Sequence, residues 1–173
     1  MTQTITPYGG RLRELFAADA AALKVQAFDL PEWTLSQRQL CDVELLLFGG
    51  FSPLEGFMTQ ADYDGVVDGM RLADSTLWPI PVTLDVDSAF AESLELGRRI
   101  ALRDPEGLLI AFMEVSDRWT PDKAREARQV LGSEDQAHPA VRYLFETAGD
   151  VYLGTGSCAS SVTPSTLQIR TDW

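Results

Sequence analysis

The stretch RIALRDPEGLLIAFMEV (residues 99–115) consists of two apolar runs separated by a turn sequence. In Asp104-Pro105-Glu106-Gly107, Asp, Pro and Gly occupy the first, second and fourth positions, which are the residue preferences of a type I turn. Apolar runs on either side of a turn are typical of paired strands. The stretch therefore predicts an antiparallel β-hairpin with strands over Arg99–Arg103 and Leu108–Val115.

The sequence before the hairpin has the signals of helices. Apolar residues at three- and four-residue intervals predict an amphipathic helix that ends before Leu30-Pro31; they are Leu12, Leu15, Phe16, Ala20 and Leu23. Ser36 and Gln39 have the spacing of a capping box, so they predict the start of a second helix. Gly49 is expected to end that helix in the left-handed conformation.

Two further helix starts are predicted before the hairpin. Ser52, Pro53 and Glu55 fit an N-cap, a first helical position and a closing capping box, so they predict a helical turn that Gly56 breaks. Thr59 and Asp62 predict another short helix. Its inward-facing residues are expected to be Tyr63, Val66, Val67 and Met70.

The remaining segments alternate between strand and helix patterns. Pro79–Leu84 reads as an edge strand or a strand entry, because proline cannot donate to a sheet ladder. Thr120-Pro121-Asp122 is expected to cap a helix that ends at Gly132, and Pro139–Phe145 is expected to form another. Val151–Leu153 reads as a last strand. Helices first and strands later, with one clear antiparallel pair, predict an α+β fold.

The charge balance excludes some classes of function. The chain has 173 residues, with 14 Lys and Arg against 26 Asp and Glu, which gives a formal net charge of −12. Binding to nucleic acid or to an anionic membrane depends on clustered cations, so we expect neither partner. We expect a cytoplasmic protein, since the sequence has neither a secretory signal pattern nor a long apolar stretch. The spacing of Cys41 and Cys158 matches no zinc or redox motif, so two reduced thiols are expected.

Residue patterns alone reveal no catalytic constellation. Neighbouring acids such as Asp85 and Asp87 are expected to be caps and solvated side chains. The single histidine, His138, is interpreted as a capping or structural residue. Three arginines border apolar segments, where each could pair with a carboxylate or hold a phosphate or another chain; they are Arg38, Arg71 and Arg103.

Several ordered segments resemble the N-terminal domain of sulfate adenylyltransferase (ATP sulfurylase) of the bacterial type. The resemblance runs over about residues 8 to 154 and includes RQLCDVE (38–44), GFSPLEGFM (50–58) and LWPIPVTLD (77–85). The motif positions, interpreted as structural or interface residues, are Arg38, Asp42, Glu44, Gly50, Phe51, Ser52, Pro53, Glu55, Gly56, Phe57, Arg71, Trp78, Pro79, Pro81, Arg103, Asp104, His138 and Pro139.

The resemblance implies a PUA-like domain over residues 1–154, a twisted β-barrel decorated with helices. In the family this domain precedes a nucleotide-binding catalytic domain that converts ATP and sulfate to adenosine 5′-phosphosulfate and pyrophosphate. The Q-x-R-N-P and H-x-G-H segments of that catalytic domain do not occur in this sequence. No catalytic, substrate-binding or metal-binding residue is therefore assigned, and ATP and magnesium would belong to the missing domain. Residues 155–173 diverge from the family and are expected to form a disordered tail.

The leading hypothesis is a non-catalytic domain that packs against a sulfurylase catalytic domain in cis or in trans, with a homo-oligomer as a further option. It predicts an apolar patch near Phe51, Phe57 and Trp78, although the same aromatic residues could equally be core. The alternative is a stand-alone PUA-like module that binds RNA or protein, although the acidic charge opposes RNA.

Overall fold

The computed structural model describes residues 5–16, 27–155 and 158–160. The strands in this part are β1 (Glu32–Thr34), β2 (Leu84–Val86), β3 (Arg99–Arg103), β4 (Leu109–Glu114), β5 (Asp117–Trp119), β6 (Val151–Gly154) and β7 (Cys158–Ser160). The helices are α1 (Gln37–Leu47), α2 (Gln60–Gly69), α3 (Ser88–Glu92), α4 (Lys123–Glu126) and α5 (Pro139–Glu146). A short 3-10 helix covers Ala27–Asp29, and a π-helical segment, Ala127–Leu131, continues α4.

The chain divides into two compact units, each assembled from separate stretches of sequence. Unit 1 takes residues 1–56, 97–114 and 156–173, and unit 2 takes residues 57–96 and 115–155. Among the described residues, unit 1 contains a four-stranded sheet and unit 2 a three-stranded sheet. Mixed helices and strands confirm the predicted α+β class, and the strands that the structure describes form two open sheets rather than a closed barrel.

Unit 1 is built on the predicted hairpin. Its strand order is β1-β3-β4-β7, with β1 parallel to β3 and the other pairs antiparallel. Ile100 faces Met113 across the hairpin, and the register shifts between Leu102 and Arg103. One core cluster brings together Ala27, Ala101, Leu109 and Phe112. The hairpin prediction is confirmed, with Gly107 at φ +86° in the turn.

Strand β7 lies in the segment that the sequence analysis assigned to a disordered tail. It pairs antiparallel with β4, so that Cys158 is opposite Met113. The Cys158 amide also donates to the Glu55 carbonyl oxygen at 2.8 Å. Residues 161–173 lie outside the described part of the chain.

Unit 2 contains the sheet β2-β6-β5, in which both pairs are antiparallel. One core cluster consists of Tyr63, Val67, Trp119 and Tyr152, packed with Val130. A second cluster joins the π-helical segment to α5 through Ala127, Val141, Leu144 and Ala148. Both clusters bury apolar side chains, and this burial is the main driving force for folding the unit.

The predicted caps of two helices are confirmed. At the start of α1, the Gln39 amide donates to Ser36 Oγ at 3.3 Å, and the Ser36 amide donates to Gln39 Oε1 at 2.9 Å. Gly49 follows α1 with φ +73°. At the start of α2, the Asp62 amide donates to Thr59 Oγ1 at 3.3 Å. Each of these caps joins residues three positions apart, so a local sequence pattern is enough to specify it.

Three predictions of local structure are wrong in the described residues. Leu12–Phe16 is not helical, and residues 17–26 of that predicted helix lie outside the described part. Ser52–Glu55 forms turns, with a cis Ser52–Pro53 peptide, instead of a helical turn. The strand predicted over Pro79–Leu84 begins only at Leu84, so the predicted strand entry is confirmed and the predicted extent is wrong.

The helices were also searched for the length and apolar character of a membrane span. Among the described residues, no helix is both long enough and apolar enough to cross a bilayer.

Candidate functional site

The motif residues of α1 form a weak surface ion pair. Arg38 Nε lies 3.9 Å from Asp42 Oδ2, one helical turn away. Glu44 uses its backbone carbonyl to accept from the Phe48 amide near the end of the helix. A pair at this distance and exposure contributes little to stability. This pair is therefore a minor contribution to the stability of α1.

The motif residues Gly50 to Glu55 form a tight turn that is held by Ser52. Ser52 is 5% exposed, and its hydroxyl donates to the Gly49 carbonyl at 2.6 Å and accepts from the Arg13 amide at 2.9 Å. Arg13 NH1 lies 2.9 Å from Glu55 Oε1. Because the Ser52 hydroxyl both donates to and accepts from main-chain groups, it joins two segments of unit 1.

The glycine and proline positions of this turn are defined by close packing. A Cβ on Gly50 would lie 2.9 Å from a Leu45 side-chain carbon, and Pro53 lies against Gly9. Phe51 is half-buried, and Gly56 is buried. Gly50 and Pro53 therefore lie in close contact with neighbouring residues of unit 1.

Arg103 and Asp104 stabilise the hairpin turn of unit 1. Asp104 is fully buried, and its Oδ1 accepts from the amides of Glu106 at 3.0 Å and Leu108 at 2.8 Å. Arg103 pairs with Glu32 of β1 and donates to the Gly107 carbonyl at 3.0 Å. Both motif residues thus fix the main chain at the end of the hairpin.

In unit 2, the motif residues Arg71, Trp78, Pro79 and Pro81 lie on the segment that follows α2. Arg71 NH1 donates to the Ser75 carbonyl at 3.0 Å, so this side chain stabilises the loop between the two residues. Trp78 and Pro81 are buried, whereas Pro79 is exposed. Phe57, also in unit 2, is fully buried. Of the aromatic residues expected near an apolar patch, Trp78 and Phe57 are therefore core residues.

The last motif pair, His138 and Pro139, starts α5. His138 is at the N-cap position, but its side chain makes no capping hydrogen bond and is exposed. Pro139 lies in the first turn of the helix, where a backbone amide would have no partner within the helix, so proline loses no hydrogen bond there. The interpretation of His138 as a capping residue is therefore confirmed for its position, and its backbone carbonyl accepts from the Arg142 amide at 3.0 Å.

The sequence analysis missed a hydrogen-bonded cluster in the core of unit 2, formed by Tyr63, Tyr152 and Glu126. Tyr63 and Tyr152 both donate to Glu126 Oε2, at 2.9 and 3.1 Å. Burial, followed by the Glu126 charge, raises the pKa of each tyrosine. The only sequence signal was that inward-facing tyrosines require a partner for their hydroxyl groups.

Beside this cluster, Arg125 is held in a charged fork. Its Nε and NH2 contact the two Asp68 oxygens at 3.1 and 2.7 Å, and NH1 contacts Asp64 Oδ1 at 2.8 Å. Hydrogen bonds from these two carboxylates raise the pKa of Arg125. The fork ties α4 to α2, which is a structural use of a bidentate arginine.

The neighbouring acids Asp85 and Asp87 were expected to be caps and solvated side chains, which is confirmed for Asp87 and wrong for the buried Asp85. Asp87 caps α3 by accepting from the Phe90 amide at 2.7 Å, and Asp85 accepts from the Gly149 amide at 2.8 Å. No cluster of three metal-binding side chains is found among the described residues. Cys41 and Cys158 are free thiols.

A family model described as a PUA-like domain matches residues 5–158, which is most of the chain. The chain belongs to the PUA-like domain family. This PUA-like domain is 52% identical over 153 residues to a sulfate adenylyltransferase of Eremothecium gossypii. It is 51% identical over 154 residues to one of Mycosarcoma maydis and 52% identical over 148 residues to one of Schizosaccharomyces pombe.

These matches cover most of the PUA-like domain and a smaller share of each relative. For the Eremothecium protein the coverage is 87% of this chain and 30% of the relative. The corresponding shares are 86% and 27% for the Mycosarcoma protein and 83% and 30% for the Schizosaccharomyces protein. The chain thus spans less than a third of the length of these relatives and corresponds to their N-terminal part.

A solved structure supports the same fold. The structure titled hexameric APS kinase from Thiobacillus denitrificans superimposes with a TM-score of 0.70 and 30% sequence identity. The superposition covers 95% of this chain and 29% of the other. In this comparison too, the PUA-like domain corresponds to part of a much longer protein.

Proposed function

We propose that this PUA-like domain is the non-catalytic N-terminal domain of a sulfate adenylyltransferase and serves packing and oligomer contacts there. The observation that carries the proposal is the identity of about half of the aligned residues to proteins of that name. The reaction of these enzymes joins ATP and sulfate to give adenosine 5′-phosphosulfate and pyrophosphate. The chemistry itself is assigned to the part of the polypeptide beyond this chain's span.

The residues of the chain support a non-catalytic role. Attack of sulfate on the α-phosphorus of ATP brings several negative charges together, so it requires convergent cations or metal. The chain has a net charge of −12 and a single histidine, which is exposed. Its arginines at motif positions contact carboxylates and carbonyl oxygens of the chain itself. ATP and magnesium are therefore expected to bind in the rest of the enzyme.

The proposal is tested in a chimera. Residues 5–158 of this chain replace the aligned segment of the Eremothecium enzyme, and pyrophosphate release is measured with ATP, magnesium and sulfate. The controls are the unaltered enzyme, the enzyme with the segment deleted, and the 173-residue chain alone. We expect activity from the chimera and none from the deletion or the chain alone.

Two results would overturn the proposal. Pyrophosphate release by the 173-residue chain alone would show that it carries its own catalytic site. A deletion enzyme as active as the chimera would show that the domain contributes nothing that the enzyme needs. Binding of RNA at low salt would instead favour a stand-alone module, which the acidic charge opposes.

A further inference from the structure

Helix α5 buries one side and exposes the other. Val141 and Leu144 are buried in the cluster that joins this helix to the π-helical segment. Arg142, Phe145 and Glu146 are exposed, with Phe145 at 39%. Residues three and four positions apart lie on the same face of an α-helix, so Phe145 and Glu146 both neighbour Arg142. These three exposed residues form one continuous surface, which we call the α5 face.

The two charged side chains of the α5 face have no ionic partner in the described part of the chain. Arg142 and Glu146 have the spacing of an intrahelical pair, yet neither side chain forms an ion pair or a hydrogen bond with a described residue. Every other Arg and Lys of unit 2 is held by a hydrogen bond or an ion pair; they are Arg71, Arg118, Lys123, Arg125 and Arg128. Within the described residues of unit 2, Arg142 is therefore the cation left available to an external carboxylate.

The order of these charges along α5 does not favour the isolated helix. Glu146 is the last helical residue, where an acid faces the negative end of the helix dipole, and the first turn of α5 contains no acid. Arg142 precedes Glu146 by four positions, which is the weaker order for an intrahelical pair, because the favoured order places the acid first. The two charges therefore contribute little to the stability of α5 on its own.

Two copies of the α5 face complement each other when the two helices run antiparallel. A two-fold axis near the middle of the face brings Arg142 of each copy opposite Glu146 of the other, and the two Phe145 rings then lie beside the axis. Such a contact is isologous, since both copies use the same surface. We propose that the α5 face is a homodimer contact between two copies of this chain. The inference rests on the oligomer contacts of the proposed function and names the surface that makes them.

The net charge of the chain opposes this contact only at long range. Each copy has a net charge of −12, so two copies repel each other. At about 0.15 M salt, charges more than about 8 Å apart are largely screened, whereas the two reciprocal ion pairs form at contact distance. A helix of 8 residues is about 12 Å long, so the contact is small. We therefore expect a weak dimer, with a dissociation constant of about 0.1 to 1 mM.

Charge reversal tests the reciprocal pairing in the 173-residue chain. Sedimentation equilibrium at concentrations up to about 1 mM measures the dissociation constant of the dimer. Arg142→Glu and Glu146→Arg each place like charges together at two symmetric positions, so each is expected to weaken the dimer at least about tenfold. The Arg142→Glu/Glu146→Arg double variant exchanges the two charges and restores both pairs. We expect its dissociation constant to lie within about threefold of the parent value.

Two further substitutions control for the change in net charge. Arg98→Glu changes the charge as Arg142→Glu does, at an exposed arginine of unit 1. Glu95→Arg matches Glu146→Arg at an exposed acid of unit 2 that lies outside α5. Both controls are expected to leave the dissociation constant within about twofold of the parent value, because distant charges are screened. Melting temperatures of all the variants verify that each one is folded.

The outcomes separate this contact from the proposed function. A chain that stays monomeric at about 1 mM would overturn the dimer contact, and so would a dimer that the charge reversals leave unchanged. A double variant that associates as weakly as the single variants would overturn the reciprocal pairing of Arg142 with Glu146. Each of these results leaves the proposed function intact when the Eremothecium chimera releases pyrophosphate. Restored association of the double variant, together with an inactive chimera, would support the contact and contradict the proposed function.

Discussion

The Tyr63 hydroxyl donates to Glu126 Oε2 across 2.9 Å, which joins α2 to the end of α4. Tyr152 of β6 donates to the same oxygen at 3.1 Å. Tyr63, Tyr152 and Trp119 also pack against one another, with ring centroids 5.6 to 5.8 Å apart. A single carboxylate thus links two helices and a strand inside an aromatic cluster.

This cluster predicts a loss of stability at alkaline pH. Burial and the Glu126 charge raise the pKa of Tyr63 and Tyr152 above the ordinary value of 10.0, so the folded state keeps both hydroxyls protonated where the unfolded chain ionises. The stabilising contribution is complete below pH 10 and is lost as the pH rises above that value. Urea unfolding at pH 9 and pH 11 measures this loss.

The Tyr63→Phe/Tyr152→Phe double variant is the control for the alkaline prediction. It lacks both raised pKa values, so its free energy of unfolding is expected to fall less between pH 9 and pH 11 than that of the parent. The interpretation is wrong if the double variant and the parent lose the same amount.

Two glycines of α2 are expected to respond in opposite directions to the same substitution. A Cβ on Gly65 would lie 2.4 Å from the Arg71 carbonyl oxygen, whereas a Cβ on Gly69 meets nothing within 4 Å. Gly65→Ala is therefore expected to destabilise unit 2 by more than about 1 kcal/mol, because backbone must move. Gly69→Ala is expected to be neutral or to stabilise by up to about 1 kcal/mol, since alanine favours the helix. Thermal unfolding of the two variants compares them, and equal effects would contradict the packing argument.

Ser52→Ala is expected to destabilise unit 1 by about 1 to 3 kcal/mol, because the Gly49 carbonyl loses a donor and the Arg13 amide loses an acceptor in a buried site. Ser93 is the matched control, since its hydroxyl also donates to a backbone carbonyl, that of Phe90 at 2.7 Å, but at an exposed position. Ser93→Ala is expected to cost less than about 0.5 kcal/mol. Urea unfolding monitors both variants, and a Ser52→Ala effect as small as that of Ser93→Ala would show that the turn does not depend on the hydroxyl.

Asp104→Ala is expected to lower the free energy of unfolding by about 1 to 3 kcal/mol. The reason is that the amides of Glu106 and Leu108 lose their acceptor, the carboxylate of the fully buried Asp104. Asp104→Asn keeps an oxygen at this position, so we expect a smaller loss. Chemical denaturation of both variants tests whether Asp104→Ala lowers the free energy of unfolding more than Asp104→Asn does. Asn as damaging as Ala would indicate that the negative charge, rather than the hydrogen-bond geometry, stabilises the turn.

The sequence was sufficient where a structural signal is local. The caps at Ser36 and Thr59 and the hairpin turn at Asp104 each involve residues within four positions of one another. Their side chains satisfy nearby amides whatever the rest of the chain does. These elements were therefore predicted with nearly correct boundaries.

The sequence was insufficient where a distant partner decides the conformation. Ser52 resembles an N-cap, but its hydroxyl is used by Gly49 and by Arg13, which lies 39 positions away. In Pro79–Leu84, two prolines cannot donate to a ladder, so pairing with β6 begins only at Leu84. Tyr63 and Glu126 are 63 positions apart. No pattern within a short window contains such pairs.

The same limit applies to the candidate site. Family resemblance identified motif positions such as Ser52, Asp104 and Trp78, and the structure shows what these side chains contact. The sequence could not show that Met70 is exposed, because its exposure depends on how α2 ends.

The two units alternate along the chain, so during synthesis the ribosome produces parts of each unit in turn. The chain contributes residues 1–56 to unit 1, 57–96 to unit 2, 97–114 to unit 1, 115–155 to unit 2 and the last stretch to unit 1 again. The sheet of unit 2 lacks its central strand until β6 has been synthesised, and the sheet of unit 1 lacks an edge until β7 follows. Neither unit can therefore be completed while much of the chain is still in the exit tunnel, and a single backbone cut cannot release either one whole.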